Sequence, residues 1–279
     1  MKKKLTTIIL FLVFLTGLSL LLYPTVSDWW NSFHQSQVIS DYVRDIENLD
    51  NETYERLLSD ARAYNEKLPA RNGRFTLSDE EIAEYNFLLN ISGTGIMGYI
   101  EIPEIKASLA IYHGTSDAVL SIAVGHIEGS SLPVGGESTH CVLSGHRGLP
   151  SAKLFSNLDK LVEGDIFYIR TLEETLTYEV DQIRIVEPHQ TGDLAIENGK
   201  DYCTLITCTP YGINTHRLLV RGHRIENTDE SQEIRVTSDA LQIDPRLVAP
   251  IVALPIILIL LILVFVRSGK KNEGKVVAL

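Results

Sequence analysis

The chain has 279 residues, with 36 Asp and Glu against 25 Lys and Arg and a formal net charge of −11. Residues 24–245 hold 35 of those acids but only 17 of the bases, which makes this body a poor candidate for nucleic acid, whose partners present basic faces. Three cysteines, Cys141, Cys203 and Cys208, form an odd set, so at least one thiol stays free or pairs with another chain.

In chain order, residues 5–23 carry no charge, follow Lys2, Lys3 and Lys4, and are long enough to cross the hydrocarbon core. They predict an uncleaved N-terminal transmembrane anchor over 1–23. A cleaved signal peptide is the competing reading, against which the apolar run is long and no Ala-x-Ala site follows it. Residues 247–266 form a second uncharged run, closed by Arg267, Lys270 and Lys271, and predict a C-terminal transmembrane helix after a linker at 231–246. With bases on the outer side of both runs, both termini, including the tail 267–279, are expected in the cytoplasm. The expectation is a two-pass protein of the cell membrane whose body lies outside the cell.

The first part of that body, 24–92, reads as a helical stem. Val38, Tyr42, Val43, Ile46 and Leu49 recur at helical spacing, and Asn51 is taken as the cap of a second helix through Leu57, Leu58, Ala61 and Tyr64. Pro69 and Gly73 break it. Ser78 with Glu81 then makes a capping box for a third helix carrying Ile82, Tyr85, Leu88 and Leu89.

Over 93–230 the pattern changes to short β-rich runs at 99–102, 108–112, 140–144, 165–169, 175–186, 202–208 and 217–225, punctuated by glycine and proline. These predict a mainly β domain, a barrel or sandwich, with short helices at 118–123 and 152–161.

Alternation along 202–208 sets Thr204, Ile206 and Cys208 on one face and Cys203 on the other, which argues against a Cys203–Cys208 disulfide. Cys141 and Cys203 read as small buried hydrophobes. Cys208 lies at a strand end beside Thr209, Pro210 and Gly212, where a substrate can reach it. A thiol nucleophile needs a base to form thiolate and a donor for the charge on the attacked carbonyl. His146, in the glycine-flanked turn Gly-His-Arg-Gly, is the candidate base, with His216 and His223 as rivals; Arg217 is the candidate donor, with Arg221 on the same face as the alternative. No metal-binding spacing and no Gly-x-Ser-x-Gly occur, so neither a metal, a cofactor nor a serine hydrolase is expected.

Thr204-Leu-Ile-Thr-Cys208, running on through Thr-Pro-Tyr-Gly-Ile-Asn-Thr-His to Arg217, closely resembles the active-site strand and loop of sortases, in particular the pilin-polymerising class C. Ser-Thr-His-Cys-Val-Leu-Ser-Gly-His146-Arg-Gly-Leu-Pro and Gly98-Tyr-Ile-Glu-Ile-Pro103 support the resemblance, which spans about 93–224. It implies a closed β-barrel of about eight strands, Cys208 as nucleophile, His146 as general acid or base and Arg217 as charge stabiliser. Thr207 and Ser144 are nominated as substrate-binding. The implied reaction cleaves a Leu-Pro-x-Thr-Gly-like signal between Thr and Gly and passes the acyl group to a lysine of another pilin subunit. Anchoring of surface proteins to a peptidoglycan precursor is the alternative, and a non-enzymatic membrane-tethered module is the most distant one. Class C enzymes often carry a lid held by an Asp-Pro-aromatic or Asp-Gly-aromatic tripeptide. None occurs between Tyr23 and Gly98, leaving residues 74–79 as the substitute.

Overall fold

The computed structural model describes residues 2–228. The expected C-terminal helix at 247–266, its linker and its tail lie outside the described residues. The stem comprises α1 (Lys2–Glu47), α2 (Asn51–Lys67) and α3 (Asp79–Phe87). Residues 5–23 belong to α1, a single 46-residue helix, but among the described residues no helix is long and apolar enough to cross a membrane. The expected N-terminal span is therefore not supported by the structure; residues 5–10 and 12 are among those whose side chains are not described.

Eight strands follow among the described residues: β1 (Ile96–Ile102), β2 (Ala107–His113), β3 (Val124–His126), β4 (Thr139–Ser144), β5 (Ile166–Thr171), β6 (Glu174–Val186), β7 (Asp201–Thr209) and β8 (His216–Ile225). They close in the order β1-β2-β3-β4-β7-β8-β6-β5, with β5 pairing back to β1. The pairs β2–β3 and β4–β7 are parallel. The closed barrel expected from the resemblance is present.

Alternation fills the barrel. Leu143, Leu205, Leu218 and Val220 point inward and join Ile100, Ile111, Phe155, Phe167 and Ile169 in one core, as period-two side-chain direction requires. Cys141 and Cys203 lie in that core as Cα partners across β4 and β7.

The stem packs against the outside of this barrel. Along α1, Gln35, Ile39, Tyr42 and Ile46 are buried at intervals of three or four residues, the spacing of one helix face. Ile39, Tyr42 and Ile46 meet Ile96, Tyr99 and Ala110, each such side chain contributing roughly 1.5–3 kcal/mol by burial. Tyr42 also donates to the Met97 carbonyl at 3.0 Å and accepts from the Leu172 amide at 2.9 Å. The cap of α2 is Asp50, which accepts from the Thr53 amide, one residue earlier than expected. The Ser78–Glu81 capping box of α3 is formed as expected.

Two local expectations are corrected. Residues 152–161 are not an α-helix: Leu154 has a positive φ of 37°, and only Leu158–Lys160 forms a 3₁₀ turn. Leu154, Phe155, Leu158 and Leu161 are instead loop residues plugged into the core, which imitates helical spacing. The helix expected at 118–123 is the single turn α4 (Asp117–Leu120).

Candidate active site

The β7–β8 ladder places Cys208 directly opposite Arg217, and Thr204 opposite Arg221. Opposed residues in an antiparallel pair share a face, with Cβ atoms about 4.5–5.5 Å apart. This face looks out of the barrel, because the intervening Leu205, Thr207, Leu218 and Val220 are buried on the other side. Cys208 is a free, half-buried thiol, whereas Cys141 and Cys203 are free and buried. Burial, with Cys141 beside it, pushes the Cys203 thiol well above the usual range, so it is no candidate nucleophile.

His146 follows β4, the parallel neighbour of β7. Ser144 is the register partner of Ile206, and the Gly145 amide continues the ladder by donating to the Ile206 carbonyl at 3.0 Å. His146 is the next residue, just beyond the end of β4. Three contacts fix its backbone. The Thr207 hydroxyl donates to the Gly145 carbonyl at 2.7 Å, the Phe155 amide donates to the His146 carbonyl at 3.1 Å, and the Gly148 amide donates to Ser156 Oγ at 2.9 Å. Gly145 is required because a Cβ there would come within 2.7 Å of the Phe155 ring.

The rival histidines are separated from this point. His216 is the register partner of Thr209 and alternates to the face opposite Arg217. His223 lies opposite Tyr202, six residues of strand from Cys208, or about 20 Å. His113, His126 and His140 are structural. His140, for example, donates from Nδ1 to the Ala195 carbonyl at 2.8 Å, leaving Nε2 to accept from the Thr204 hydroxyl at 2.7 Å, and burial lowers its pKa to about 4.

The two arginines that alternation could not separate differ in their partners. Arg221 makes two 3.0 Å hydrogen bonds to Asp181 and lies 4.1 Å over the Tyr202 ring. Among the described residues, Arg217 donates only to the carbonyls of Asn214, at 3.3 Å, and His216, at 3.1 Å. Among the described residues it has no carboxylate partner within ion-pair distance. A guanidinium beside a thiol and not neutralised by an acid is suited to receive developing oxyanion charge.

Known proteins share this fold. A sortase-domain family model matches residues 100–225. The structure is similar to sortase C1 of Streptococcus agalactiae, at 52% identity, covering 69% of this chain and 100% of that one, with a TM-score of 0.67. The chain belongs to the sortase family.

A second solved neighbour, sortase C of Streptococcus pneumoniae, is 45% identical, covers 69% of this chain and 98% of that one, and has a TM-score of 0.63. These neighbours are class C sortases. Among curated proteins, sortase D of Bacillus subtilis is 32% identical over 131 residues, 46% of this chain and 63% of that protein. Sortase A of S. agalactiae is 30% identical over 138 residues, 48% of this chain and 55% of that protein. The chain thus aligns with less than two thirds of the length of these two curated sortases.

Of the remaining nominated residues, Ser144 is half-buried on the outward face beside Ile206. Thr207, nominated as substrate-binding, is 2% exposed. Its hydroxyl is spent on Gly145, so it acts by holding the His146 backbone, and the alternation of β7 already implied its inward direction. Arg147 was not nominated. It donates to Thr209 Oγ1 at 3.2 Å and to Asp159 at 2.5 Å, tying the histidine loop to the residue after Cys208; adjacency to His146 was its only signal. Arg74, in the segment nominated to replace a lid, donates to the carbonyls of Gly129 and Leu194. It ties the β3–β4 connection to the β6–β7 connection, and among the described residues no hydrogen bond joins it to Cys208, His146 or Arg217.

Proposed function

We propose that this sortase polymerises pilins. Cys208 attacks the carbonyl of Thr in a Leu-Pro-x-Thr-Gly-like signal, and the Thr–Gly bond breaks. The amine of the glycine fragment leaves with a proton from His146, and the acyl group stays on sulfur as a thioester. A lysine amine of another pilin subunit, deprotonated by His146, then attacks, forming an isopeptide bond and regenerating the thiolate. Arg217 donates hydrogen bonds to the carbonyl oxygen as it gains charge in both steps. The observation that carries this reading is the opposed Cys208–Arg217 pair, with Gly145, the neighbour of His146, bonded to Ile206 on the same strand as Cys208. The choice of a pilin as acceptor is supported by the neighbours: the S. pneumoniae sortase C structure is described for its pilin substrate specificity, and another neighbour is a sortase C1 of a pilus island.

The same proposal includes a cell-membrane location with the barrel outside and both termini in the cytoplasm. Its support is the uncharged run after Lys2, Lys3 and Lys4, together with the exposed Val13, Phe14, Leu20 and Leu21 on α1, an apolar surface that calls for a covering phase.

The test is to incubate the full chain in detergent micelles with a Leu-Pro-x-Thr-Gly peptide and follow it by intact mass. A thioacyl adduct absent from Cys208→Ala supports the chemistry, and its absence from a protein whose Cys208 still reacts with iodoacetamide defeats the proposed signal. Resolution of the adduct by a pilin lysine supports polymerisation. Resolution only by a peptidoglycan-type amine would assign the enzyme to wall anchoring.

A further inference from the structure

The loop that carries His146 is held from two sides. Toward the barrel, Leu154, Phe155 and Leu158 are buried in the core, and the Phe155 amide holds the His146 carbonyl. On the opposite side the loop meets the stem. Ser27 Oγ donates to the Ser151 carbonyl at 3.2 Å, and Asn31 Nδ2 donates to the same oxygen. Asp28 accepts the Lys153 amide at 2.9 Å through one carboxylate oxygen and pairs with the Lys153 ammonium at 2.7 Å through the other.

Ser27, Asp28 and Asn31 are on the same side of α1 as Gln35, which binds the Ile122 carbonyl and the Ala110 amide, and Ile39, Tyr42 and Ile46 extend that side along β1 and β2. One helix face therefore grips the barrel at one end and the histidine loop at the other. From Lys153 the chain reaches the catalytic group in two steps: the Ser156 amide bonds the Lys153 carbonyl at 2.7 Å, and Ser156 Oγ accepts from the Gly148 amide, two residues from His146. A cleft of about 540 Å³, lined by Asp28, Asn31, Lys106, Lys153 and Asn157 among others, opens beside this junction. The segment therefore has room to shift if the contacts are lost.

We infer that Asp28 and Asn31 are positioning residues for catalysis: through the Ser151–Lys153 backbone they set where His146 stands relative to Cys208, so that the stem helix is part of the catalytic apparatus and not only a tether. The inference rests on His146 being the acid–base group. Small misplacement of such a group costs rate far more than binding, and its effect should show in the reactivity of Cys208 toward an alkylating agent.

The experiment uses the full chain in detergent micelles, with acylation by a Leu-Pro-x-Thr-Gly peptide and the pH dependence of Cys208 alkylation by iodoacetamide as the two readouts. In Asp28→Ala/Asn31→Ala, kcat is expected to fall about ten- to hundredfold with KM nearly unchanged, and the alkylation profile is expected to move toward that of His146→Ala. Asp28→Asn keeps an oxygen for the Lys153 amide and should retain the wild-type profile. Gln35→Ala loosens the same helix from β2 without touching the loop and should also retain it. A double variant with wild-type kcat and profile would overturn the inference, as would a Gln35→Ala protein with the same losses. If the double variant does not fold, Asn31→Leu with hydrogen exchange over residues 151–155 decides the point: faster exchange with lowered kcat supports the inference, and unchanged exchange with normal kcat overturns it. Full acylation by His146→Ala would instead refute the acid–base assignment beneath it.

Discussion

The hydroxyl of Thr207 and the carbonyl of Gly145 are joined by a 2.7 Å hydrogen bond, so the residue before the nucleophile holds the residue before the histidine. This bond crosses from β7 to the end of β4 on the inner side of the sheet, where Thr207 is buried. It lets the inward-facing side of the ladder set the spacing of two groups that act on the outward side.

Thr207→Val removes the donor and leaves a buried carbonyl short of a partner, a loss of about 1–3 kcal/mol. Urea denaturation should register that loss, and kcat should fall with little change in KM. Thr207→Ser, which restores the hydroxyl, should recover both. A Val variant with unchanged kcat would separate this bond from catalysis.

Arg217→Lys keeps the charge but loses the two-pronged donor, and acylation should slow by a factor on the order of 10²–10³. Arg221→Lys should spare the chemistry while weakening the fold, because it gives up the paired bonds to Asp181. Burst-phase acylation measured beside thermal unfolding distinguishes the two. A reversal of the pattern would make Arg221 the oxyanion donor.

Gly145→Ala forces a methyl against the Phe155 ring. Overpacking of this kind costs about 1–3 kcal/mol, and the displaced Phe155 amide releases the His146 carbonyl. Peptide cleavage should drop more steeply than stability, and Gly145→Ala/Phe155→Leu should regain part of the rate.

Stability should also depend on pH through His140. Its folded pKa, about 4, lies below the unfolded value near 6.5, so between these values the unfolded chain binds the extra proton. Stability is then complete above about pH 6.5 and declines as pH falls toward 4, by about 3 kcal/mol from this group. His113, whose pKa burial also lowers, adds a contribution of the same sign. Denaturant titrations from pH 7 to 4 should show the decline, and His140→Gln should flatten it; an equal slope in the variant would place the pH dependence elsewhere.

Seven of the eight strands and all three stem helices were legible in the sequence because each carries enough residues to display a period. β3 has only Val124, Gly125 and His126, too few for alternation to register. Residues 152–161 misled for the converse reason, since Leu154, Leu158 and Leu161 repeat like a helix face while the backbone at Leu154 turns left-handed. At the site, the sequence motif singled out Cys208, His146 and Arg217; the fold sets Cys208 opposite Arg217 and begins the His146 loop at the end of the neighbouring strand β4. Choosing between Arg217 and Arg221 needed Asp181, a residue of the neighbouring strand 40 positions away whose side-chain bond no local pattern announces. The grip of Asp28 and Asn31 on the histidine loop was equally hidden, because it joins residues more than 100 positions apart.

Closure of the barrel limits how this enzyme can take hold of an extended peptide. With β5 bonded back to β1, the sheet of the described residues closes on itself, which disfavours docking of the proposed sorting signal as a ninth strand. In the proposed reaction, affinity then comes from side chains and loops around the outward face that carries Cys208 and Arg217, which read the identities of a few residues and are indifferent to the rest of the polypeptide. On the proposed reaction, an enzyme built this way accepts many different proteins, provided each displays the same short tag.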